Sequence, residues 1–547
     1  MRRFFAAGKL LPVDLPLLLF LLSALLALVP AYDTSLAWPT LIALWSGGLV
    51  YFLVSRLGGS RLAKGLTAAA GLGALLLILH LSHDPSLEKV AVISRITAWI
   101  GQITPRLSGW IPQGNSMATL LEGMFFLAVA VLLLENQHGW RWVWLGSVLM
   151  IGLGLLLSES RGAWLGVGLA GLVWLALYFR PARWLLALTG VGAVGLVLVV
   201  LVSGDIQALD RIPLVNSTLA PLFVRPDRLS VYQGSLYLIQ DMPFTGIGLG
   251  GQFAMVYSRF VLLIQVPFLT YSHNFFLETW LELGLLGFLA LVWLMASLFW
   301  PAATGRRRDL LYESTWVGLL AMLLHGVTDA RPYVDLICWL PFFLLLGLNA
   351  AFQRHRQRAD DYPKLLIRPL SVAGVALVLL AIYIPLAPAT WQVNLDSLQH
   401  IRAELAPGID DARRAAILDA AASHFERSVA ARPAQRTAHL RLGLIYTENR
   451  RFQEAVDHLE TAYGHEPANP VTQKALGLAY AWYGSLTLSQ KMLAPIPGIA
   501  DEMNTWGWWW GQQQRTDLSR RAYQVSLLLN PDQPAVQQAL KELPASP

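Results

Sequence analysis

The sequence predicts an all-α protein: a polytopic bundle of membrane-spanning helices followed by a water-exposed helical solenoid. Three observations carry this. Of 547 residues, 55% are hydrophobic and only 14% charged, where a soluble domain carries about 25% charged residues. Apolar runs that meet the requirement of about 20 residues per bilayer-crossing helix recur as far as residue 390. Beyond that, the chain turns rich in Ala, Glu, Gln and Arg, with apolar residues at helical spacing.

Eleven runs meet the length rule: 11–30, 36–54, 62–81, 117–135, 140–157, 163–179, 184–203, 274–300, 312–330, 333–352 and 367–388. Met1-Arg2-Arg3-Phe4 has the charge that opens a signal peptide. No small-residue cleavage site follows and further spans come at once, so the first run reads as a retained signal anchor. Lys and Arg in short loops set orientation. Arg2, Arg3 and Lys9, then Arg56, Arg61 and Lys64, then Arg180 and Arg183, then Arg306, Arg307 and Arg308, then Arg354, Arg356, Arg358 and Lys364 all fall on one side of the eleven-span count. That side is the cytoplasm, so the N-terminus lies inside and everything past residue 390 outside.

Three outer segments follow: 82–116, with Trp99 and Trp110, which lies partly in the interface; the long loop 204–273; and the tail. The expected division is a membrane domain over 1–390 and an extracytoplasmic repeat domain over 391–547. The repeat is read from Leu442-Gly443-x-x-Tyr446 followed by Ala455, Leu459, Ala462 and Pro467. Thirty-four residues on stands Leu476-Gly477-x-x-Tyr480, and a weaker copy has Gly507, Trp510, Tyr523 and Pro531. That is the tetratricopeptide pattern, in which each helical hairpin buries its apolar face only by stacking on its neighbours.

Composition excludes some chemistry. The single cysteine, Cys338, forms no disulfide within the chain, and no Cys/His cluster has zinc spacing. Much of the net charge of +6 sits in short loops, where it reports orientation and not a nucleic-acid partner.

Four polar segments meet the outer face. Ser158-Glu159-Ser160-Arg161-Gly162-Ala163 joins two spans. Arg161 reads either as a side chain snorkelling to headgroups or as an anion clamp, with Gly162 permitting close approach. Arg228, in Asp227-Arg228-Leu229-Ser230, leads to Asp241-Met242-Pro243-Phe244-Thr245-Gly246-Ile247-Gly248-Leu249-Gly250-Gly251. This glycine run lacks the Lys-Ser/Thr ending of a phosphate loop and follows no strand, so it reads as a turn between helices. Arg211 and Arg225 are further cations of the same loop.

His273, in Tyr271-Ser272-His273-Asn274-Phe275-Phe276-Leu277-Glu278, is the one residue there suited to take a proton at neutral pH. Asn274 suits a helix N-cap, with Glu278 and Glu282 near one face beyond it. Glu282 is deep enough in a span to need a buried Arg or a backbone partner. His325 and Asp329 stand four apart at the end of another span and read first as a local pair orienting the helix end.

Ser158-x-Ser160-Arg161-Gly162-Ala163, Arg228 with Asp241-x-Pro243-x-x-Gly246-Ile247-Gly248-x-Gly250, and His273-Asn274-x-x-Leu277-Glu278 with Glu282-x-Gly284-Leu285-Leu286-Gly287 together resemble, in order and spacing, the O-antigen ligase and Wzy-type polymerase superfamily of bacterial membrane glycosyltransferases. The resemblance covers roughly residues 10–350. It implies a GT-C-like enzyme of the bacterial inner membrane that takes a glycan from a polyprenyl diphosphate and needs no metal or other cofactor. It implies His273 as the activating base and Arg161 and Arg228 as diphosphate ligands, with Asn274, Glu278, Glu282, Arg211 and His325 in support. The acceptor is a lipid, a glycan or a protein, and the tail adds a surface for a protein partner or acceptor. Ligase, polymerase and protein O-glycosylation remain open. A bicarbonate-like solute transporter and a membrane-tethered scaffold are the readings from other classes; the transporter predicts an internal repeat and broken helices at mid-membrane.

Overall fold

The computed structural model describes residues 11–83, 90–104, 113–203, 226–267, 269–304, 309–357 and 388–544. Every regular element among them is helical. The chain divides into two compact units. The first comprises residues Met1–Leu236, Thr245–Phe253 and Leu269–Ala381. Its long helices are α1 (Asp14–Leu26), α2 (Thr34–Leu57), α3 (Ser60–Leu81), α4 (Ala91–Ile103), α5 (Gly114–Leu134), α6 (His138–Leu157), α7 (Arg161–Ala176) and α8 (Arg180–Ser203). Helix α9 (Pro226–Asp241) follows, its last turn passing into the second unit; α10 (Phe275–Thr304), α11 (Leu310–Gly326) and α12 (Trp339–Gln357) complete the bundle.

Ten of the eleven expected spans fall on these helices; the run 367–388 lies outside the described residues, as do Arg211 and Arg225. Among the described residues six helices are long and apolar enough to cross a membrane: Thr34–Leu57, Ser60–Leu81, Gly114–Leu134, His138–Leu157, Phe275–Phe299 and Leu336–His355. Large apolar side chains such as Ile42, Leu72, Trp142 and Leu188 stand exposed on the outer helices. A helix facing hydrocarbon leaves such residues exposed, and the fold is that of a multi-pass membrane protein. In the segment expected to lie at the interface, α4 exposes Val92, Ile96, Trp99 and Ile103.

Helices α5 and α11 run through the middle and cross with backbones nearly touching. A Cβ on Gly318 would lie 2.5 Å from the Gly123 carbonyl oxygen, so only glycine fits there. Polar side chains tie one end of the bundle. Tyr51 donates to Asp14 (2.5 Å), Lys64 pairs with Glu135 (2.6 Å), and Trp174 and Tyr178 donate to Glu313 (3.0 and 2.5 Å).

Helix α10 is broken at Gly284, whose φ of 66° and ψ of −171° interrupt the helical ladder. The glycine run packs into this break. Ile247 N–H donates to the Leu281 carbonyl at 2.7 Å, and Gly250 N–H donates to the Glu282 carboxylate at 2.9 Å. Gly246, Gly248 and Gly250 all have positive φ, and a Cβ on any of them would strike backbone atoms. The run is the turn expected of it, and Glu282 takes the backbone partner it needs.

The second unit comprises Tyr237–Phe244, Ala254–Phe268 and Ile382–Pro547. Besides the tail, the unit takes in two stretches of the long loop. Its helices are α13 (Pro388–Leu405), α14 (Asp411–Ala431), α15 (Arg436–Glu448), α16 (Phe452–His465), α17 (Pro470–Tyr483), α18 (Leu486–Leu493), α19 (Ile499–Gln512), α20 (Thr516–Leu529) and α21 (Pro534–Glu542). One close approach recurs between successive helices: Gly443 against Leu459, Gly477 against Leu493, Gly507 against Tyr523. Ser489 and Ser519 hydroxyls donate to the Gly477 and Gly507 carbonyls at 2.8 and 2.7 Å. The loop stretches join this unit through buried charge. Asp241 accepts from Arg436 (2.8 Å) and Arg441 (3.2 Å), Arg259 pairs with Glu404 (3.1 Å) and with Glu448, and Lys474 donates to the Leu262 carbonyl (2.7 Å).

Candidate functional site

At the bundle end opposite the Asp14, Glu135 and Glu313 contacts, helix termini converge on a cavity of about 220 Å³. Its walls come from five places in the chain. Asn115 is in the first turn of α5; Glu159, Ser160, Arg161 and Gly162 open α7; Arg228 is on α9; Tyr271 and His273 precede α10; His325 ends α11, with Thr328, Asp329 and Arg331 beyond it. Three guanidiniums and two imidazoles thus face a space that holds two carboxylates, those of Glu159 and Asp329.

The segment before α10 holds His273 by its backbone. Asn274 caps the helix, its side-chain oxygen accepting from the Phe276 and Leu277 N–H groups at 3.0 Å each. The buried Glu278 carboxylate accepts from Ser272 N–H at 2.7 Å. His273 itself adopts the left-handed region, φ 57°, a conformation uncommon outside glycine that clusters at functional sites. Tyr232 from α9 donates to the His273 carbonyl (3.1 Å) and the Val327 carbonyl (3.2 Å). Burial pushes the Tyr232 phenol up to about 12, so at neutral pH it stays protonated and able to donate. The His273 ring packs at a tilt against Tyr271, centroids 4.1 Å apart, and the Tyr271 hydroxyl accepts from Arg331 at 2.5 Å.

Cations meet carboxylates on the opposite wall. Asp329 pairs with Arg331 at 3.3 Å and accepts from Asn115. Arg228 donates to the Thr328 carbonyl. The spacing of His325 and Asp329 suggested a local side-chain pair, and the structure corrects this. Asp329 lies just past the end of α11 and its N–H still donates to the His325 carbonyl at 3.1 Å, but its carboxylate goes to Arg331 and Asn115. His325 instead turns to Glu122 on α5 (Nδ1 to Oε2, 3.1 Å) and to Ser160 (Nε2 to Oγ, 3.3 Å).

Of the expected site residues, Arg161, Arg228, His273 and His325 reach the cavity, Asn274 and Glu278 hold the segment that carries His273, and Glu282 serves the glycine run instead. Sequence reasoning passed over Asn115, Glu122, Tyr271 and Arg331. Glu122 had a signal: it is the only charged residue within 117–134, and a charge inside an apolar run is a functional marker by default. His400, Glu404 and Glu448 in the second unit are close enough to ligate a cation among the described residues, but the Arg259 guanidinium already lies on both carboxylates.

The multi-pass helical bundle thus carries at one end a pocket lined by Arg161, Arg228 and Arg331 together with His273 and His325. Residues 145–292 match the protein-family model described as O-Antigen ligase. Over those residues the match supports the O-antigen ligase and Wzy-type superfamily and a membrane chemistry of the ligase/polymerase type. None of the curated proteins compared matches the chain. The matched segment contains Arg161, Arg228 and His273 but neither Glu122 nor the His325–Arg331 wall.

Proposed function

We propose that the chain is a glycosyltransferase of the bacterial inner membrane. It moves a glycan from a polyprenyl-diphosphate carrier to an acceptor hydroxyl at the outer face. The observation that carries this is the convergence of Arg161, Arg228 and Arg331 with His273 on one cavity. A departing diphosphate gains negative charge, and fixed guanidiniums neutralise it without reorganisation. Arg161 is also the first residue of α7, where the helix N-terminus adds its own partial positive charge. The acceptor oxygen attacks the anomeric carbon, its proton passes to His273, and the bond from that carbon to the diphosphate breaks with its electron pair on the leaving oxygen.

The tail, read as tetratricopeptide hairpins, offers an acceptor or partner surface, which tilts the reading towards a protein or surface-polymer acceptor. The break in α10 is the one feature that favours a transporter. Its carbonyl and carboxylate are taken by the glycine run, which supports the transferase reading instead.

The test is glycan transfer from a polyprenyl-diphosphate donor in reconstituted membranes. His273→Ala and Arg161→Ala are each expected to lower kcat by at least about 100-fold at equal folded protein. Transfer unaffected by both would remove the site.

A further inference from the structure

Ser160, His325 and Glu122 come from three helices and lie in line. Glu122 is fully buried in α5, and both its carboxylate oxygens approach His325 Nδ1, at 3.1 and 3.3 Å. A buried carboxylate in that position accepts from Nδ1–H, which fixes the ring and turns Nε2 outward. Nε2 meets Ser160 Oγ at 3.3 Å, and Ser160 lines the cavity beside Arg161.

Two features show that this line is built. The first is the placement of glycines. A Cβ on Gly162 would lie 2.3 Å from Thr328 Oγ1 and 2.9 Å from the His325 ring; on Gly166, 2.7 Å from the Ala321 carbonyl. With the Gly123–Gly318 crossing, these close approaches draw α7 and α5 onto neighbouring turns of α11, one bringing Ser160 to His325 and the other Glu122. The second is what Ser160 does not do. It occupies the N-cap of α7, where a serine hydroxyl ordinarily accepts from a first-turn N–H, yet it makes no such bond. With Nδ1–H given to Glu122 and Nε2–H given to Ser160 Oγ, the serine's own proton is left for the cavity.

We propose that Ser160 is a leaving-group ligand, its hydroxyl donating a hydrogen bond to the diphosphate oxygen that departs, with His325 and Glu122 as positioning residues behind it. The inference rests on the diphosphate reading of the cavity. No proton changes hands along the line: the acceptor's proton goes to His273, and Ser160 stabilises the electron pair gained by the leaving oxygen. The charged groups around His325 are Glu122 on α5, Asp329 beyond its own helix, and Arg331. Across the cavity stand Arg161 and Glu159 by α7, Arg228 on α9 and His273 before α10.

The experiment combines kinetics with binding on the full chain. Ser160→Ala is expected to lower kcat by about 10–100-fold with donor KM nearly unchanged, because the bond strengthens as the leaving oxygen gains charge. Ser160→Thr keeps the hydroxyl and retains most activity. Glu122→Gln lowers kcat as well, and the Ser160→Ala/Glu122→Gln double variant is no slower than Ser160→Ala alone, since Glu122 acts through Ser160. Additive losses would mark Glu122 as a structural residue and overturn the line. Inorganic diphosphate titrated into solubilised protein supplies a readout without turnover: Ser160→Ala weakens its binding by about 10-fold. Wild-type protein that binds diphosphate equally well with and without the Ser160 hydroxyl overturns this inference alone. Wild-type protein that binds none overturns the diphosphate reading as well.

Discussion

Asp329 shows how much one residue of the cavity holds. Its carboxylate is buried, pairs with Arg331 and faces Arg228 and His325. Removing one member of a buried pair leaves the other charge uncompensated, so Asp329→Asn is expected to cost about 3–5 kcal/mol of stability. Thermal denaturation in detergent measures this; a melting temperature equal to wild type would mean the cavity's cations are solvated rather than paired. The residues of this wall were only partly legible. His273, Arg161 and Arg228 announce themselves as polar residues at the ends of apolar runs. Glu122 and His325 are partners across 203 positions, and no local spacing reveals that. The i, i+4 spacing held for the backbone at His325, where Asp329 N–H meets its carbonyl, but both ring nitrogens find partners on other helices.

At the scale of elements, the apolar runs forecast the helices well because span length is fixed by the bilayer. What they could not forecast is the break at Gly284, since the residues that heal it lie in a different part of the chain. The glycine run carries this burden through its backbone. Gly248 has φ 102° and its missing Cβ would lie 2.4 Å from the Ala31 nitrogen. Gly248→Ala is therefore expected to cost about 2–4 kcal/mol, the sum of a left-handed residue and an overpacked contact. Gly168→Ala on α7, where nothing lies within 4 Å, is the matched control; it is expected to be neutral or to add up to about 1 kcal/mol, as alanine does in a helix. Equal melting temperatures for the two variants would deny the run its role as a strut.

At the scale of the whole molecule, the second unit carries a pH dependence of its own. His400 is buried with its ring against Phe260 at 5.1 Å. Burial first, then the positive charges of Arg441 and Arg259, hold it well below its ordinary value of 6.5. The unfolded chain thus binds a proton that the folded one refuses. Stability is fully present above pH 6.5 and falls as pH drops below it. His400→Phe, which cannot titrate, is expected to flatten the acid limb of a melting-temperature series from pH 7.5 to pH 5. An unchanged slope would assign the acid sensitivity elsewhere. The tail's helical character was legible from the helical spacing of its apolar residues. The share of the long loop in this unit was not, because Asp241 and Arg259 find their partners among residues up to 200 positions away.

That threading bears on inheritance and on engineering. The chain passes from one unit to the other at residues 236/237, 244/245, 253/254, 268/269 and 381/382. A cut at 381 leaves Asp241 and Arg259 on one fragment and the groups that neutralise them on the other. The tail is thus no exchangeable cassette: a chimaera that borrows it from a relative must borrow 237–244 and 254–268 with it. A single crossover that swaps only the end of the gene should yield protein that fails to accumulate, whatever acceptor the borrowed tail prefers.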